Sequence, residues 1–167
     1  GEIAVRIMST ARRLGISTVA VYSEADTSSL HVQEADEAVY IGRSPSLQSY
    51  LNVPNILSAI RQTGADAVHP GYGFLSENTE FAKSISDEGV TFIGPGTEAI
   101  KLLGDKSESN KLARKANVNV IPGTLDAVDD PKEAAKIAKE IGYPVMIKAA
   151  AGGGGKGMRV IRSEADL

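Results

Sequence analysis

Apolar residues recur along the chain at two spacings, one typical of helices and one typical of buried strands. Ile3, Ile7, Met8 and Leu14 lie on one face of a helix that Gly15 ends. Farther along, we predict strands over 17–22, 37–41, 67–69 and 90–93 and helices over 55–63 and 78–88. This alternation predicts an α/β fold with a doubly wound parallel sheet, whose ligands bind beyond the carboxyl ends of the strands.

The second part of the chain has stronger helix signals. Asp105–Glu108 has the form of a capping box, and Asp130, Pro131 and Glu133 suit the N-cap, N1 and N3 positions of a second helix. That helix ends at Gly142, and apolar runs over 144–149 and 157–161 predict two more strands. The sequence changes character between about residues 94 and 124.

Composition excludes several classes of protein. The 167 residues contain 18 Lys and Arg against 21 Asp and Glu, a net charge of −3, and no Cys. The absence of Cys excludes a disulfide framework, a Cys-based zinc site and a Cys nucleophile, and fits a reducing compartment. No apolar run approaches the ~18 residues of a membrane span, and the acidic balance argues against a general nucleic-acid binder. We therefore expect neither a membrane nor a nucleic acid as a partner.

The charges are unevenly distributed. Residues 1–100 hold 6 basic and 12 acidic groups, whereas residues 101–167 hold 12 basic and 9 acidic groups. The stretch 143–162 has four cations and no acid: Lys148, Lys156, Arg159 and Arg162. Either this is chance on solvated faces, or the second part holds an anion site.

A run of four glycines lies between the last two predicted strands. Gly152, Gly153, Gly154 and Gly155 are followed by Lys156 and Gly157. Such a run is either a mobile hairpin loop or a flap whose N–H groups wrap phosphate oxygens, with Lys148 adding a charge from the preceding strand. It is not a Walker A loop, because Ala150 replaces the first Gly and Gly157 replaces the Ser or Thr.

Two further features are candidates for chemistry. His69–Asn78 (HPGYGFLSEN) links a strand to a helix and imitates a dinucleotide-binding turn, but Ser76 replaces its third Gly. A purely structural turn is the alternative. Lys106 lies in the first turn of a helix, where a cation opposes the helix dipole. Lys106 either contacts a nucleotide or is simply an exposed Lys whose unfavourable interaction with the helix dipole costs very little.

Together these segments resemble the biotin carboxylase family. Gly1–Ala4, His69–Asn78, Gly104–Lys106, and Lys148 with the glycine run and Gly157–Arg159 occur in this order in that family. Its members are the biotin carboxylase parts of acetyl-, propionyl- and methylcrotonyl-CoA carboxylases, pyruvate carboxylase and urea amidolyase. The stretches 117–123 and 143–148 resemble the biotin-containing subunits of propionyl-CoA and acetyl-CoA carboxylases.

The resemblance implies an ATP-grasp ligase. ATP and bicarbonate form carboxyphosphate, and its CO2 passes to biotin on a carrier domain, with Mg2+ or Mn2+ as the metal. The implied domains are a Rossmann-like, pre-ATP-grasp N-terminal domain over 1–93, a helical linker over 94–120, and the start of the ATP-grasp lid subdomain over 121–167. A carboxyltransferase subunit or domain, a homo-oligomeric complete protein, and a cytoplasmic or mitochondrial-matrix location follow from the same resemblance.

The resemblance also assigns roles to residues. Lys106 and Lys148 would contact ATP, and Met158 would lie near the adenine. Gly152, Gly153, Gly154, Gly155 and Gly157 would form the lid loop over the phosphates. Tyr72 and Gly73 would line the biotin side of the cleft.

The sequence opens inside a helical pattern, without an initiator Met or a preceding strand, so we expect a fragment that lacks the first strand. The resemblance places the metal ligands and catalytic residues after Leu167. We therefore expect no catalytic or metal-binding residue within these 167 residues, and no ATP turnover by them alone. The alternatives are another ATP-grasp ligase, an NAD-dependent oxidoreductase, a different biotin-dependent carboxylase such as pyruvate carboxylase, and a non-catalytic piece.

Overall fold

The computed structural model describes residues 1–124, 126–149 and 157–166, apart from the side chains of Lys106 and Ser107. The chain forms two compact units. We call residues 1–104 the N-terminal unit and residues 105–167 the C-terminal unit. The domain limits expected from the sequence, 1–93, 94–120 and 121–167, stay a prediction.

The N-terminal unit alternates helices and strands along the chain. Its described elements are α1 (Glu2–Arg13), β1 (Val19–Ser23), α2 (Leu30–Glu34), β2 (Glu37–Gly42), α3 (Val53–Thr63), β3 (Ala67–Val68), α4 (Thr79–Asp87), β4 (Thr91–Phe92) and α5 (Thr97–Gly104). Short 3-10 helices follow β1 at Glu24–Asp26 and β2 at Ser46–Gln48. Helices α2 and α5 add to the elements that the hydrophobic pattern predicts.

The strands of the N-terminal unit are parallel, as predicted. β1 pairs with β2, with Val19 opposite Glu37 and Tyr22 opposite Tyr40. β3 pairs with β4, with Ala67 opposite Thr91. In the part of the chain that the structure describes, these strands form two separate parallel pairs.

Helices α3 and α4 supply much of the hydrophobic core of this unit. Ile56 and Ile60 of α3, one helical turn apart, pack in the same cluster as Phe81 and Ile85 of α4. The cluster also includes alternate residues of β2 and one residue of the loop before α4: Val39, Ile41 and Leu75. The 69–78 loop is thus held by the core through Leu75.

The C-terminal unit has a different make-up. It contains α6 (Lys106–Lys115), α7 (Pro131–Ile141), β5 (Val145–Lys148) and β6 (Met158–Ile161), with a 3-10 helix at Glu164–Asp166. β5 and β6 are antiparallel. Its buried hydrophobic side chains among the described residues are Ala138 of α7 and Ile161 of β6.

The predicted helix caps are confirmed. The Asp105 side chain accepts a hydrogen bond from the Glu108 N–H at 2.9 Å, and the Asp130 side chain accepts one from the Lys132 N–H at 3.0 Å. Gly64 ends α3 and Gly142 ends α7, both with positive φ. At the start of α4, Asn78 is the cap, and it accepts a hydrogen bond from the Phe81 N–H at 2.8 Å.

Candidate functional site

The register of β5 and β6 brings Lys148 and Met158 together. The two residues are direct cross-strand partners, and the next pair on the same face is Met146 with Val160. All four side chains are exposed. The face therefore presents a cation at one end of an apolar surface.

Beyond this pair, the backbone closes the base of the glycine-rich segment. The Ala149 N–H donates a hydrogen bond to the Gly157 carbonyl oxygen at 2.8 Å. Gly157 has a φ of 73°, and a Cβ on it would lie 2.9 Å from the Ala149 Cβ. A side chain at position 157 would thus be strained in backbone conformation and crowded against Ala149.

This arrangement suits a nucleotide. Lys148 is exposed, and its ammonium is a group that binds anions such as phosphates through charge-assisted hydrogen bonds. Met158 adds an exposed, polarisable surface of the kind that an aromatic base contacts. Gly152, Gly153, Gly154 and Gly155 lie outside the described residues, as does the Lys106 side chain, whose backbone begins α6.

In the N-terminal unit, the 69–78 loop presents Tyr72 and Gly73 to solvent. Tyr72 is 87% exposed. Gly71 and Gly73 have φ angles of 69° and 77°, and Phe74, which is not a glycine, has a φ of 44°. Three of the four residues 71–74 thus have a left-handed φ, and the backbone turns tightly around the exposed Tyr72 ring.

Hydrogen bonds within the loop form a turn on either side of Tyr72 and Gly73. The Gly71 N–H donates to His69 Nδ1 at 3.1 Å, and the Ser76 N–H donates to the Gly73 carbonyl oxygen at 2.9 Å. His69 therefore has a turn-forming contact, which matches the structural alternative for that residue. Tyr72 and Gly73 lie at the exposed centre of an otherwise anchored segment.

Comparison with known proteins identifies the family. Residues 1–100 match the family model of the biotin carboxylase N-terminal domain, and residues 105–167 match that of the carbamoyl-phosphate synthase L chain ATP-binding domain. The chain belongs to the biotin carboxylase family. The first match, over more than half of the chain, favours this family over the other ATP-grasp ligases.

Curated relatives of this biotin carboxylase chain include propionyl-CoA carboxylase alpha chains. The protein from Ruegeria pomeroyi is 59% identical over 160 residues, which are 96% of this chain and 24% of that protein. The mitochondrial protein of Sus scrofa is 62% identical, over 96% of this chain and 22% of its own length. Biotin carboxylase 1 of Bacillus subtilis is 54% identical over 100% of this chain and 37% of its own length. The chain thus spans less than two fifths of these relatives.

Solved structures confirm the fold. A Campylobacter jejuni biotin carboxylase, described as a complex with β,γ-ATP, matches with a TM-score of 0.93 and 48% identity over 100% of this chain and 37% of that one. The biotin carboxylase domain of Hydrogenobacter thermophilus 2-oxoglutarate carboxylase, in complex with MgADP, ADP and bicarbonate, matches with a TM-score of 0.89 and 47% identity. That match covers 99% of this chain and 36% of the other.

The structure of this biotin carboxylase chain also reveals a polar cluster that the sequence analysis did not single out. At the carboxyl end of β1, the Ser23 N–H donates to Tyr50 Oη at 3.0 Å, and the Ser23 hydroxyl donates to Asp26 Oδ2 at 2.8 Å. The Tyr50 hydroxyl donates to the same carboxylate oxygen. The signal available in the sequence was the position of Ser23 at the end of a buried strand, with Asp26 three residues later, because ligands of parallel sheets bind beyond the carboxyl ends of the strands.

Electrostatics within the cluster favour an ionised Asp26. The hydrogen bond from Tyr50, followed by that from Ser23, lowers the pKa of Asp26. Burial, and then the contact with Asp26, raises the pKa of Tyr50, so that its hydroxyl stays protonated as a donor. The cluster is therefore a charge-assisted network at neutral pH.

The described part of the chain has neither a metal-binding cluster nor a membrane-spanning helix. No group of three or more His, Asp or Glu side chains is placed to hold a metal ion there. No helix within those residues has the length and apolar character needed to cross a membrane.

Proposed function

We propose that this chain is the N-terminal part of an enzyme that carboxylates biotin on a carrier domain, with ATP and bicarbonate as substrates and carboxyphosphate as the intermediate. The observation that carries the proposal is the β5–β6 register, which pairs Lys148 with Met158 at the closed base of the glycine-rich segment. The reaction is proposed from membership of the biotin carboxylase family. The face of β5 and β6 would bind the ATP that this reaction uses.

Each residue of the proposed site has a physical task. Lys148 and Lys106 would bind phosphate oxygens through charge-assisted hydrogen bonds. The backbone N–H groups of Gly152, Gly153, Gly154 and Gly155 would close over the phosphates, with Gly157 as the hinge of the loop. Met158 would contact the adenine, and Tyr72 with Gly73 would line the biotin side of the cleft.

Mg2+ or Mn2+ would neutralise phosphate charge and orient the triphosphate. Its oxygen ligands are proposed to come from parts of the complete protein outside these 167 residues.

The identities favour an acyl-CoA carboxylase. Propionyl-CoA carboxylase alpha chains have 56–62% identity, whereas a B. subtilis biotin carboxylase has 54% and the biotin carboxylase subunit of a pyruvate carboxylase has 49%. We therefore propose propionyl-CoA, then acetyl-CoA, as the acceptor that a separate carboxyltransferase component uses. Pyruvate or another acceptor is the alternative.

The test is ADP release by the complete protein that contains this chain. We expect release that requires bicarbonate and Mg2+ and that rises when free biotin or a biotinylated carrier domain is added. Addition of the carboxyltransferase component should then yield a carboxylated product with propionyl-CoA in preference to pyruvate. ADP release that ignores biotin would contradict the proposal.

The 167-residue chain alone should not turn over ATP, because the metal ligands are proposed to lie elsewhere. Nucleotide binding without ADP release is the expected result, and bicarbonate-dependent ADP release by this piece would overturn it. We further propose that the complete protein is a homo-oligomer in the cytoplasm or the mitochondrial matrix. Light scattering and cell fractionation test these two points.

A further inference from the structure

We propose that Tyr50 is a positioning residue that holds the Tyr72–Gly73 segment in place for biotin and acts through the ring of Phe74. The proposal rests on the function proposed above, since it assumes that this segment lines the biotin side of the cleft. It assigns a role to the polar cluster of Ser23, Asp26 and Tyr50, none of which lies in the 69–78 loop.

The first step is that the Tyr50 ring is fixed at its hydroxyl end. Tyr50 Oη accepts a hydrogen bond from the Ser23 N–H at 3.0 Å and donates one to Asp26 Oδ2. Ser23 is 1% exposed, and the Ser23 and Ser29 hydroxyls also donate to the Asp26 carboxylate, at 2.8 and 3.3 Å. Because the anchor includes a buried strand end and an ionised group, the ring has little freedom to tilt.

The second step is that this fixed ring supports Phe74. The rings of Tyr50 and Phe74 are stacked, with centroids 5.4 Å apart and an interplanar angle of 21°. The other face of Phe74 is open, since its side chain is 63% exposed. Through Tyr50, the stack therefore ties an exposed loop residue to Ser23 at the carboxyl end of β1 and to Asp26 in the 3-10 helix that follows.

The third step is that Phe74 needs such support. Its φ of 44° is unusual for a bulky residue and persists only where neighbouring structure imposes it. Phe74 directly follows Gly73, so a change in its backbone would move Gly73 and Tyr72. His69 and Leu75 fix the ends of the loop, and the stack on Tyr50 fixes the residue between Gly73 and Leu75.

The experiment measures the KM for free biotin and the KM for ATP in the complete protein. Tyr50→Phe removes the anchoring hydroxyl but keeps the ring, and Phe74→Leu removes the stack. We expect Phe74→Leu to raise the biotin KM by about two- to tenfold, which is the range that loss of an aromatic contact produces, with an unchanged ATP KM. Tyr50→Phe keeps the stack but frees the ring at its hydroxyl end, so we expect it to raise the biotin KM by less than Phe74→Leu does, again with an unchanged ATP KM. In the Phe74→Leu background, Tyr50→Phe should add little, because both changes remove the same support.

Tyr40 offers matched controls on the same unit. It is an exposed tyrosine that contacts Tyr22 edge to face, away from the 69–78 loop. Tyr40→Phe and Tyr40→Leu repeat the two chemical changes and should leave both KM values unchanged. Thermal unfolding of every variant checks that a higher biotin KM does not follow from partial unfolding.

Hydrogen exchange in peptides that cover residues 70–78 separates failure of this inference from failure of the proposed function. Faster exchange there in Tyr50→Phe, with a raised biotin KM, supports the proposal. Unchanged exchange and an unchanged biotin KM would overturn it. So would an equal rise in the KM values for biotin and ATP. So would a biotin KM in the Tyr50→Phe/Phe74→Leu double variant that rises by the product of the two single fold-changes. If the wild type shows no biotin-dependent ADP release, the proposed function fails, and with it the biotin part of this inference; exchange then decides the positioning of the loop alone.

Discussion

The two units of this chain differ in what they do with their apolar residues. The N-terminal unit packs residues from two helices, a strand and a loop into one cluster, whereas the C-terminal unit buries Ala138 and Ile161 among its described residues. The exposed face of the C-terminal unit, with Met146, Met158 and Val160 around Lys148, includes the surface proposed to bind ATP. The packed N-terminal unit presents the loop of the proposed biotin subsite. The exposed β5–β6 strand pair of the C-terminal unit forms the proposed ATP subsite.

This contrast indicates where substitutions act. In the N-terminal unit, we expect substitution of a buried residue to lower the free energy of unfolding. Substitution of a residue in the 69–78 loop, or of one that packs against it, should change biotin binding. In the C-terminal unit, exposed residues of the strand pair affect binding with little effect on packing. The predictions below test this division.

The largest effect is expected from Phe81→Ala. Phe81 is 3% exposed, and its ring contacts Phe92 edge to face with centroids 6.1 Å apart. Deletion of a buried aromatic ring costs about 3–5 kcal/mol. Urea unfolding of the 167-residue chain, followed by hydrogen exchange in peptides of α3 and α4, measures this loss. Leu47→Ala, at a position 78% exposed, is the control and should be nearly neutral; equal losses in the two variants would contradict the core described above.

Lys148→Ala should have the next largest effect, on nucleotide binding instead of stability. Loss of a charge-assisted contact to phosphate is worth about 1.5–3 kcal/mol, which corresponds to roughly a 10- to 150-fold higher KM for ATP in the complete protein. Lys139→Ala removes an exposed lysine from the last turn of α7 and should leave this KM unchanged. An unaltered ATP KM in Lys148→Ala would remove this residue from the site.

Gly157→Ala should raise the KM for ATP by less. The left-handed φ of 73° costs a non-glycine residue about 1–2 kcal/mol, and the added Cβ would crowd Ala149. We expect the closed base of the glycine-rich segment to open, with faster exchange of the Ala149 amide. Gly123→Ala is the matched control, because a Cβ there meets no atom closer than 4.0 Å. A normal ATP KM in Gly157→Ala would show that the hairpin geometry does not matter for the nucleotide.

Local signals made much of this fold predictable. Helix caps such as Asn78 and Asp130 and stops such as Gly64 and Gly142 act within a few residues, so their chemistry can be recognised along the sequence. Two short apolar runs on either side of the glycines likewise predicted β5 and β6, whereas the antiparallel register that pairs Lys148 with Met158 is known only from the structure.

The Tyr50 cluster could not be predicted in the same way. Its members are 24 residues apart at Asp26 and Tyr50, and Phe74 joins them from a third segment. Only the packing of β1, the segment before α3 and the 69–78 loop brings these side chains together. The hydrophobic pattern missed helix α5 for a different reason, although the resemblance implied a helical linker over 94–120. The eight residues of α5, with one buried side chain at Ile100, form a pattern too short to separate from a loop.

The smallest effect is expected from pH, and it concerns the buried histidine of the N-terminal unit. His31 is 3% exposed, and burial lowers its pKa below the ordinary value of 6.5. The unfolded chain therefore takes up a proton on His31 at a higher pH than the folded chain does. Protonation of His31 should therefore cost no stability above pH 6.5. The free energy of unfolding should decrease as the pH falls from that value toward the lower pKa of His31 in the folded state.

The measurement is the urea midpoint of the 167-residue chain at about pH 7.5 and about pH 5.5, on either side of the ordinary histidine pKa. His31→Gln should reduce the fall in midpoint between these two conditions, because the buried titrating group is gone. Leu47→Ala, the exposed control used above, should leave the fall in place. If His31→Gln leaves the fall as large as in the wild type, then acid does not act through this buried side chain, and the proposed division between buried stability and exposed binding does not hold for the N-terminal unit.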